Sequence, residues 1–242
     1  MALVQTAEVE AERPSLEWAR DAWGDLEGLA LLRAALTGPF AGRLAMVSSF
    51  GAESAVLLDM VASIDRRTPV VFLETGKLFP ETLAYKDELV EWLRLEDVRS
   101  ISPDAGEVAR FDGAGDLWQR EPDMCCHIRK TEPLDLALSA FAGWITGRKR
   151  FQGGLRAKLP AIESDPVTGQ LKLNPLAGWS LDDIRHYRRL RQLPQHPLVA
   201  RGYPSIGCQP CTRAVQEGEG SRAGRWWQLD KTECGIHRGE GI

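Results

Sequence analysis

The chain has 242 residues, 43% of them hydrophobic and 26% charged, a globular composition that excludes wholesale disorder. Its formal net charge of −4 argues against a general nucleic-acid binder, which would be basic, and no run of about 18 uncharged apolar residues is present to span a membrane. The opening MALVQTAEVEAERP lacks the basic and then apolar pattern of a signal peptide, and the five cysteines suggest metal or redox chemistry more than a disulfide framework, as in a cytoplasmic protein.

Residues 1–14 are polar, end at Pro14 and are expected to fray. Leu16, Trp23, Leu26, Leu29, Leu32 and Leu36 recur at helical spacing and predict one or two amphipathic helices. Strand and helix then alternate. Leu44–Ser48 is an apolar run, followed by the small-residue turn Ser49-Phe50-Gly51-Ala52 and a helix from about Glu53 to Ile64. Pro69–Leu73 is a second strand, and Glu74-Thr75-Gly76-Lys77 leads from it to a helix opened by Pro80. Val98–Ile101 is a third strand. A helix over about Thr131–Phe141 precedes a fourth, Gly143–Thr146. Strands separated by crossover helices make a parallel sheet with helices on both faces. Gln170–Asn174 reads as a further strand, and Ser180-Leu181-Asp182-Asp183 as a capping box for a helix that Pro194 stops. From Pro197 onward the chain is rich in Gly, Pro, Arg and Cys, a segment held by a metal, by docking or by a ligand.

Four groups of residues carry chemistry. In Ser48-Ser49-Phe50-Gly51-Ala52-Glu53-Ser54, small residues at a helix N-terminus let backbone N–H groups approach an anion, though the same turn could simply be a capped helix. In Glu74-Thr75-Gly76-Lys77, glycine allows a close backbone approach to a ribose or base; a plain connecting loop is the alternative. Cys125-Cys126 and Cys208-Gln209-Pro210-Cys211 together offer four thiolates, enough for an iron–sulfur cluster or a structural zinc. Adjacent cysteines cannot readily both serve one tetrahedral ion, which favours the larger cluster; the C-x-x-C alone could instead be a dithiol redox pair. Cys234, in Glu233-Cys234-Gly235-Ile236-His237, is left over, and a polar tail beside His237 favours an accessible nucleophile over an inert thiol. Basic residues flank these groups: Arg129 and Lys130, then Arg148, Lys149, Arg150 and Arg156, then Arg222 and Arg225. Their setting suggests a converging polyanion site.

The ordered motifs SSFGAES, LETGKLFPETLAYKDEL, CCHIRKTEPL, GRKRFQGGLR, NPLAGWSLDDI, GCQPCTR and GRWWQLDKTECGIH closely resemble those of the bacterial assimilatory adenylyl-sulfate (APS) reductases, within the APS/PAPS reductase family. The resemblance runs from about residue 40 to His237. Ser54 and Glu74 depart from it, without removing a group on which the chemistry depends. It implies an α/β fold of the adenine-nucleotide α-hydrolase type: a parallel sheet of about five strands flanked by helices, with a flexible C-terminal segment. The whole chain, 1–242, would be one domain, with a nucleotide-binding core over 40–196 and a C-terminal segment over 197–242.

The implied activity is thiol-dependent reduction of APS to sulfite and AMP through an enzyme S-sulfocysteine, in sulfate assimilation and cysteine biosynthesis. Reduction of PAPS, or of both, is the alternative. The resemblance further implies one [4Fe-4S] cluster on Cys125, Cys126, Cys208 and Cys211, with Cys234 as nucleophile and His237 lowering its pKa or fixing the tail. Substrate contacts would come from Ser48, Ser49, Gly51, Ala52, Glu53, Thr75, Gly76, Lys77, Lys130, Arg156, Arg222 and Arg225. Arg129 is left between this role and bracing the cysteine loop. The implied partner is reduced thioredoxin or glutaredoxin; a homo-oligomer is compatible with the same reading, and no nucleic acid or membrane is implied.

Overall fold

The computed structural model describes residues 15–229 and 231–237, so the fraying expected of residues 1–14 lies outside the described residues. The N-terminal periodicity resolves into two helices, α1 (Leu16–Trp23) and α2 (Gly28–Thr37). Ser15 opens α1 by accepting the Trp18 N–H on its hydroxyl at 3.1 Å, which satisfies one of the N–H groups that a helix start leaves free.

The alternating region follows as β1 (Leu44–Val47), α3 (Ser54–Ile64), β2 (Val70–Leu73), α4 (Pro80–Leu93) and β3 (Val98–Ile101). Three short helices come next, α5 (Ala105–Phe111), α6 (Leu117–Arg120) and α7 (Pro122–Cys126). The chain then widens into a π-helical turn at His127–Thr131 and resumes as α8 (Glu132–Leu138). Strands β4 (Gly143–Ile145), β5 (Ile162–Ser164) and β6 (Leu171–Leu173) and helix α9 (Leu181–Leu190) complete the order. At α9 Ser180 and Asp183 form the expected reciprocal cap, each side chain accepting the other's backbone N–H.

The six-stranded sheet has the order β3-β2-β1-β4-β6-β5. Five of these strands are parallel; β5 pairs antiparallel with β6 at the edge. The expected count of about five is thus met by the parallel part, and β5 is an addition. It escapes sequence patterning because it is three residues long and runs into a turn held by Asp165, whose carboxylate accepts the Val167 and Thr168 N–H groups.

Alternation along the strands builds two cores. Leu44, Met46, Val70 and Phe72 face α2, α3 and α4, whereas Ala45, Val71 and Trp144 face Leu134 and Leu138 of α8. Helix α3 is buried from Ala55 to Ala62, and each fully buried Leu there contributes about 1.5–3 kcal/mol. Its one carboxylate, Asp59, accepts from the Tyr187 hydroxyl at 2.8 Å and Arg191 Nε at 2.9 Å, tying α9 to the core. Among the described residues, no helix is long and apolar enough to cross a membrane.

The strand order fixes where a ligand can sit. The chain runs outward through β1, β2 and β3, then returns to place β4 on the other side of β1. The connections leaving β1 and β4 therefore diverge, and open parallel sheets bind ligands in the crevice at such a switch point.

Candidate functional site

A cavity of about 210 Å³ occupies that crevice, walled by the turns after β1, β2 and β4 and closed by residues 204–237 of the C-terminal segment. The β1 turn is held open by its own side chains. Ser48 Oγ accepts the Phe50 N–H at 3.2 Å and Ser54 Oγ accepts the Gly51 N–H at 2.9 Å. Phe50 adopts a left-handed backbone, φ 46°, uncommon for a bulky residue and costly unless over-determined by its surroundings. Its ring, wholly buried and edge-on to Phe72 at 5.4 Å, provides that constraint. The result aims Ser48, Ser49, Gly51, Ala52 and Glu53 at the cavity. Glu53 makes no capping bond to α3; its carboxylate accepts from Lys149 Nζ at 2.7 Å and Gln152 Nε2 at 3.1 Å.

The β2 turn divides. Thr75 lines the cavity, but Lys77 reaches away to the Gly115 carbonyl at 2.7 Å and to Asp112 at 3.5 Å. The Gly76 N–H donates to Glu74 Oε1 at 2.9 Å. Arg129 donates to the Thr75 carbonyl and to Asp112 Oδ2, both at 2.7 Å. Gly76, Lys77 and Arg129 thus stand in the wall behind the cavity, organised around one buried carboxylate. Burial pushes the Asp112 carboxyl up, but the Leu117 N–H, Arg129 and Lys77 outweigh it and hold the group below its ordinary range.

Behind Thr75 a second, small cavity is lined by all four of Cys125, Cys126, Cys208 and Cys211. The four are free thiols. Among the described residues no three Cys, His, Asp or Glu side chains converge to hold a single metal ion. What the four thiols share is a common cavity with Lys77, Arg129 and Lys130 in its wall. Burial pushes the Cys211 thiol up to about 11. Cys208 behaves oppositely: burial opposes the thiolate, but Lys130, the Thr75 hydroxyl and Arg225 outweigh burial and hold the thiol below its ordinary value. Thr75 Oγ1 lies 3.4 Å from Cys208 Sγ. This donor set, with cations to offset thiolate charge, fits a cluster held by four cysteines.

Three residues, Cys208, Lys130 and Trp226, belong to both cavities. Lys130 stands on the π-helical turn that directly follows Cys125-Cys126; such turns recur at functional sites. Burial disfavours the Lys130 ammonium, but Cys208, Cys234 and Cys126 more than restore it.

The C-terminal segment docks on the core through backbone bonds. The Gln209 N–H donates to the Lys77 carbonyl at 2.8 Å, and within the segment the Trp226 N–H donates to the Cys211 carbonyl at 2.9 Å. Arg225 lies over the Trp226 ring, 4.4 Å from its centroid, and reaches the Ile206 carbonyl at 3.3 Å. Its buried Nε has no partner among the described residues. Cys234 lines the large cavity together with Lys130, Arg156, Arg222 and Arg225. Arg156 and Arg222 are already engaged by Glu233, a residue that sequence reasoning passed over although it adjoins Cys234. Arg148, singled out only as part of the basic run, also lines the cavity and pairs with Glu163 behind it. His237 stacks flat on Trp144, centroids 5.7 Å apart and planes 8° apart. Burial and the surrounding Arg148, Lys172, Arg156 and Arg222 push it well below the ordinary histidine range. His237 lines the same cavity as Cys234 and is seated against the sheet by its ring.

Comparison with known proteins agrees with this architecture. Residues 43–214 match the phosphoadenosine phosphosulfate reductase domain. An adenosine 5'-phosphosulfate reductase of Mesorhizobium japonicum is 49% identical over 215 residues, covering 89% of this chain and 84% of that protein. A phosphoadenosine 5'-phosphosulfate reductase of Gloeobacter violaceus is 41% identical, covering 93% of this chain and 95% of that protein. In fold, the phosphate complex of the Candida auris phosphoadenylyl-sulfate reductase superposes with a TM-score of 0.69 at 23% identity, covering 89% of this chain and 99% of that one. The chain belongs to the phosphoadenosine phosphosulfate reductase family.

Proposed function

We propose that the protein reduces adenylyl sulfate to sulfite and AMP, with Cys234 as the nucleophile. The observation that carries this reading is that Cys234, alone of the five cysteines, stands apart from the four-thiol cavity yet lines the cation-rich crevice. In the first step the Cys234 thiolate attacks the sulfate sulfur; an S–S bond forms, the S–O bond to AMP breaks, and AMP leaves with the electron pair. In the second, one thiolate of a reduced dithiol protein such as thioredoxin attacks Cys234 Sγ and sulfite departs with the pair. The partner's second thiol then closes its own disulfide and returns Cys234 as thiolate. Sulfur is reduced by two electrons, and the dithiol supplies both.

An anionic thiolate must approach an anionic sulfuryl group beside a phosphate. At an effective dielectric near 20, two like charges about 4 Å apart repel by about 4 kcal/mol. Fixed cations offset this best in a site closed to water, and Lys130, Arg156, Arg222 and Arg225 line the crevice with Cys234. The Ser48–Glu53 turn would hold the phosphate or ribose, with Thr75 beside it. Gly76 and Lys77 would act from behind the wall by shaping the turn. Cys125, Cys126, Cys208 and Cys211 would hold a [4Fe-4S] cluster, whose contribution when bound is electrostatic tuning and support of the substrate site. Lys130 and Cys208, common to both cavities, would carry that support forward.

The test is sulfite release from APS and PAPS, side by side, with reduced thioredoxin. APS is expected to be the better substrate, and wild-type protein given APS without reductant is expected to gain one sulfonate on the Cys234 peptide. A sulfonate mapped to Cys208 or Cys211, or turnover by Cys234→Ser, overturns the proposal.

A further inference from the structure

The carboxylate of Glu233, one residue before Cys234, is fully engaged inside the protein. Arg156 grips it in a fork, Nε on Oε1 at 2.6 Å and an amino group on Oε2 at 2.8 Å. Arg222 adds a third contact at 3.2 Å. Such planar, bidentate pairing fixes orientation as well as distance. The Arg156 side chain is itself rooted, because its other amino group donates to Gln152 Oε1 at 2.5 Å and Gln152 is bound to Glu53 of the β1 turn. On the far side of Cys234, Gly235 takes a left-handed turn, φ 82°, that a residue with a side chain would resist. His237 then seats on Trp144. Cys234 is therefore slung between two anchors, one ionic and one stacked.

The ionic anchor uses the very cations that face the crevice. Arg156 and Arg222 both line the cavity, and a guanidinium closed on a carboxylate offers less to an incoming anion. Resting on the function proposed above, we infer that Glu233 is the positioning residue for Cys234. It holds the thiol at the cavity by occupying Arg156 and Arg222, and in doing so lowers the affinity of the site for its anionic substrate.

This inference makes two separable demands, tested on the full-length protein with Glu233→Gln and Glu233→Asp. The first is independent of turnover. With no substrate present, alkylation of Cys234 by iodoacetamide, mapped by mass spectrometry, should be about tenfold faster in Glu233→Gln than in wild type, the factor that loss of roughly one charge-assisted contact gives. An unchanged rate overturns the positioning role, whether or not the protein proves to act on APS. The second demand concerns the cations. In a Cys234→Ser background, where no turnover occurs, the dissociation constant for APS should fall severalfold on adding Glu233→Gln. In the active enzyme kcat and KM should then fall together. General damage to the fold would raise KM, so a raised or unchanged KM and dissociation constant defeat the inference. Glu233→Asp keeps the charge on a shorter arm and should restore wild-type KM with part of kcat. If Asp and Gln behave alike, the charge has no part in positioning and the inference fails. Absence of APS turnover in wild type would count against the proposed function, leaving the alkylation result to judge the anchor.

Discussion

Gly207 and Arg225 form a pair in which the smaller residue makes room for the larger. A Cβ added at Gly207 would lie 2.2 Å from an amino nitrogen of Arg225 and 2.5 Å from its Cζ, so the guanidinium would have to leave its place on the backbone. Gly207→Ala is therefore expected to weaken APS binding as Arg225→Ala does, by about 1–3 kcal/mol, the worth of a charge-assisted contact. Calorimetric titration checks this, and wild-type binding by Gly207→Ala would remove Arg225 from the site. His196 supplies a second single-residue case, this time for stability. Its Nδ1 accepts the Leu198 N–H at 3.2 Å, so the proton of the neutral ring sits on Nε2, 3.1 Å from Thr82 Oγ1. Protonating Nδ1 would set donor against donor, and burial lowers the pKa from 6.5 to about 4. The unfolded chain then binds the proton more readily than the folded one between these values. Stability should be unaffected above about pH 6.5 and decline as pH falls toward 4, by at most about 3 kcal/mol. Thermal melts across that window should show a shallower acid decline in His196→Gln. At this scale the cysteines were legible in the sequence because their residue type is itself the chemistry. Glu233 was not, since its meaning comes from Arg156, 77 positions away.

Among the elements, the segment from β3 to α8 separates what periodicity can see from what it cannot. Strands β1 to β4 and helices α3 and α4 were readable because each has an apolar face or an apolar run with clear punctuation. Helices α5, α6 and α7 span seven, four and five residues, too short for a 3.6-residue period to declare itself. The end of α5 and the start of α6 are held instead by Asp112, which is wholly buried and accepts the Leu117 N–H at 2.8 Å as well as the Arg129 contact. This carboxylate joins the β2 turn, the short helices and the π-helical turn, none of which shows its partner in the sequence. Asp112→Asn would leave Arg129 and Lys77 facing an uncharged amide. Breaking a buried pair from one side costs about 3–5 kcal/mol, so a marked drop in melting temperature is expected, with loss of iron in protein purified from an iron-replete culture. A melting temperature and iron content equal to wild type would show that Asp112 is not the hub described here.

For the molecule as a whole, the parallel sheet gathers into one crevice residues that the chain keeps far apart. Turns after β1, β2 and β4 meet only because the strand order reverses beside β1, and sequence alternation foretold the sheet without giving that order. The C-terminal segment has little apolar content of its own, and it reaches the crevice by backbone pairing with Lys77 and by packing of its Leu198 and Ile206 against Phe79. The bonds that dock residues 197–229 on the sheet therefore lie before Glu233, while Cys234 is placed from both sides of it, by the Lys231–Asp123 pair and the Arg222 bond to the Thr232 carbonyl as well as by Glu233 and His237. Two changes should separate these layers. Truncation just before Glu233 leaves Cys125, Cys126, Cys208 and Cys211 and the docking bonds intact. It is expected to keep iron and bind APS at least as tightly as wild type, yet release no sulfite. Cys208→Ser strikes the other layer, because the Cys208 backbone bridges Leu78 and its thiol lines both cavities. It should lose the proposed cluster, read as bound iron, and limited proteolysis should then cut within 197–229 faster than in the truncated protein. Sulfite release by the truncated chain would rule out Cys234 as nucleophile, and equal protease resistance in the two variants would show that the four-cysteine cavity does not secure the segment to the sheet.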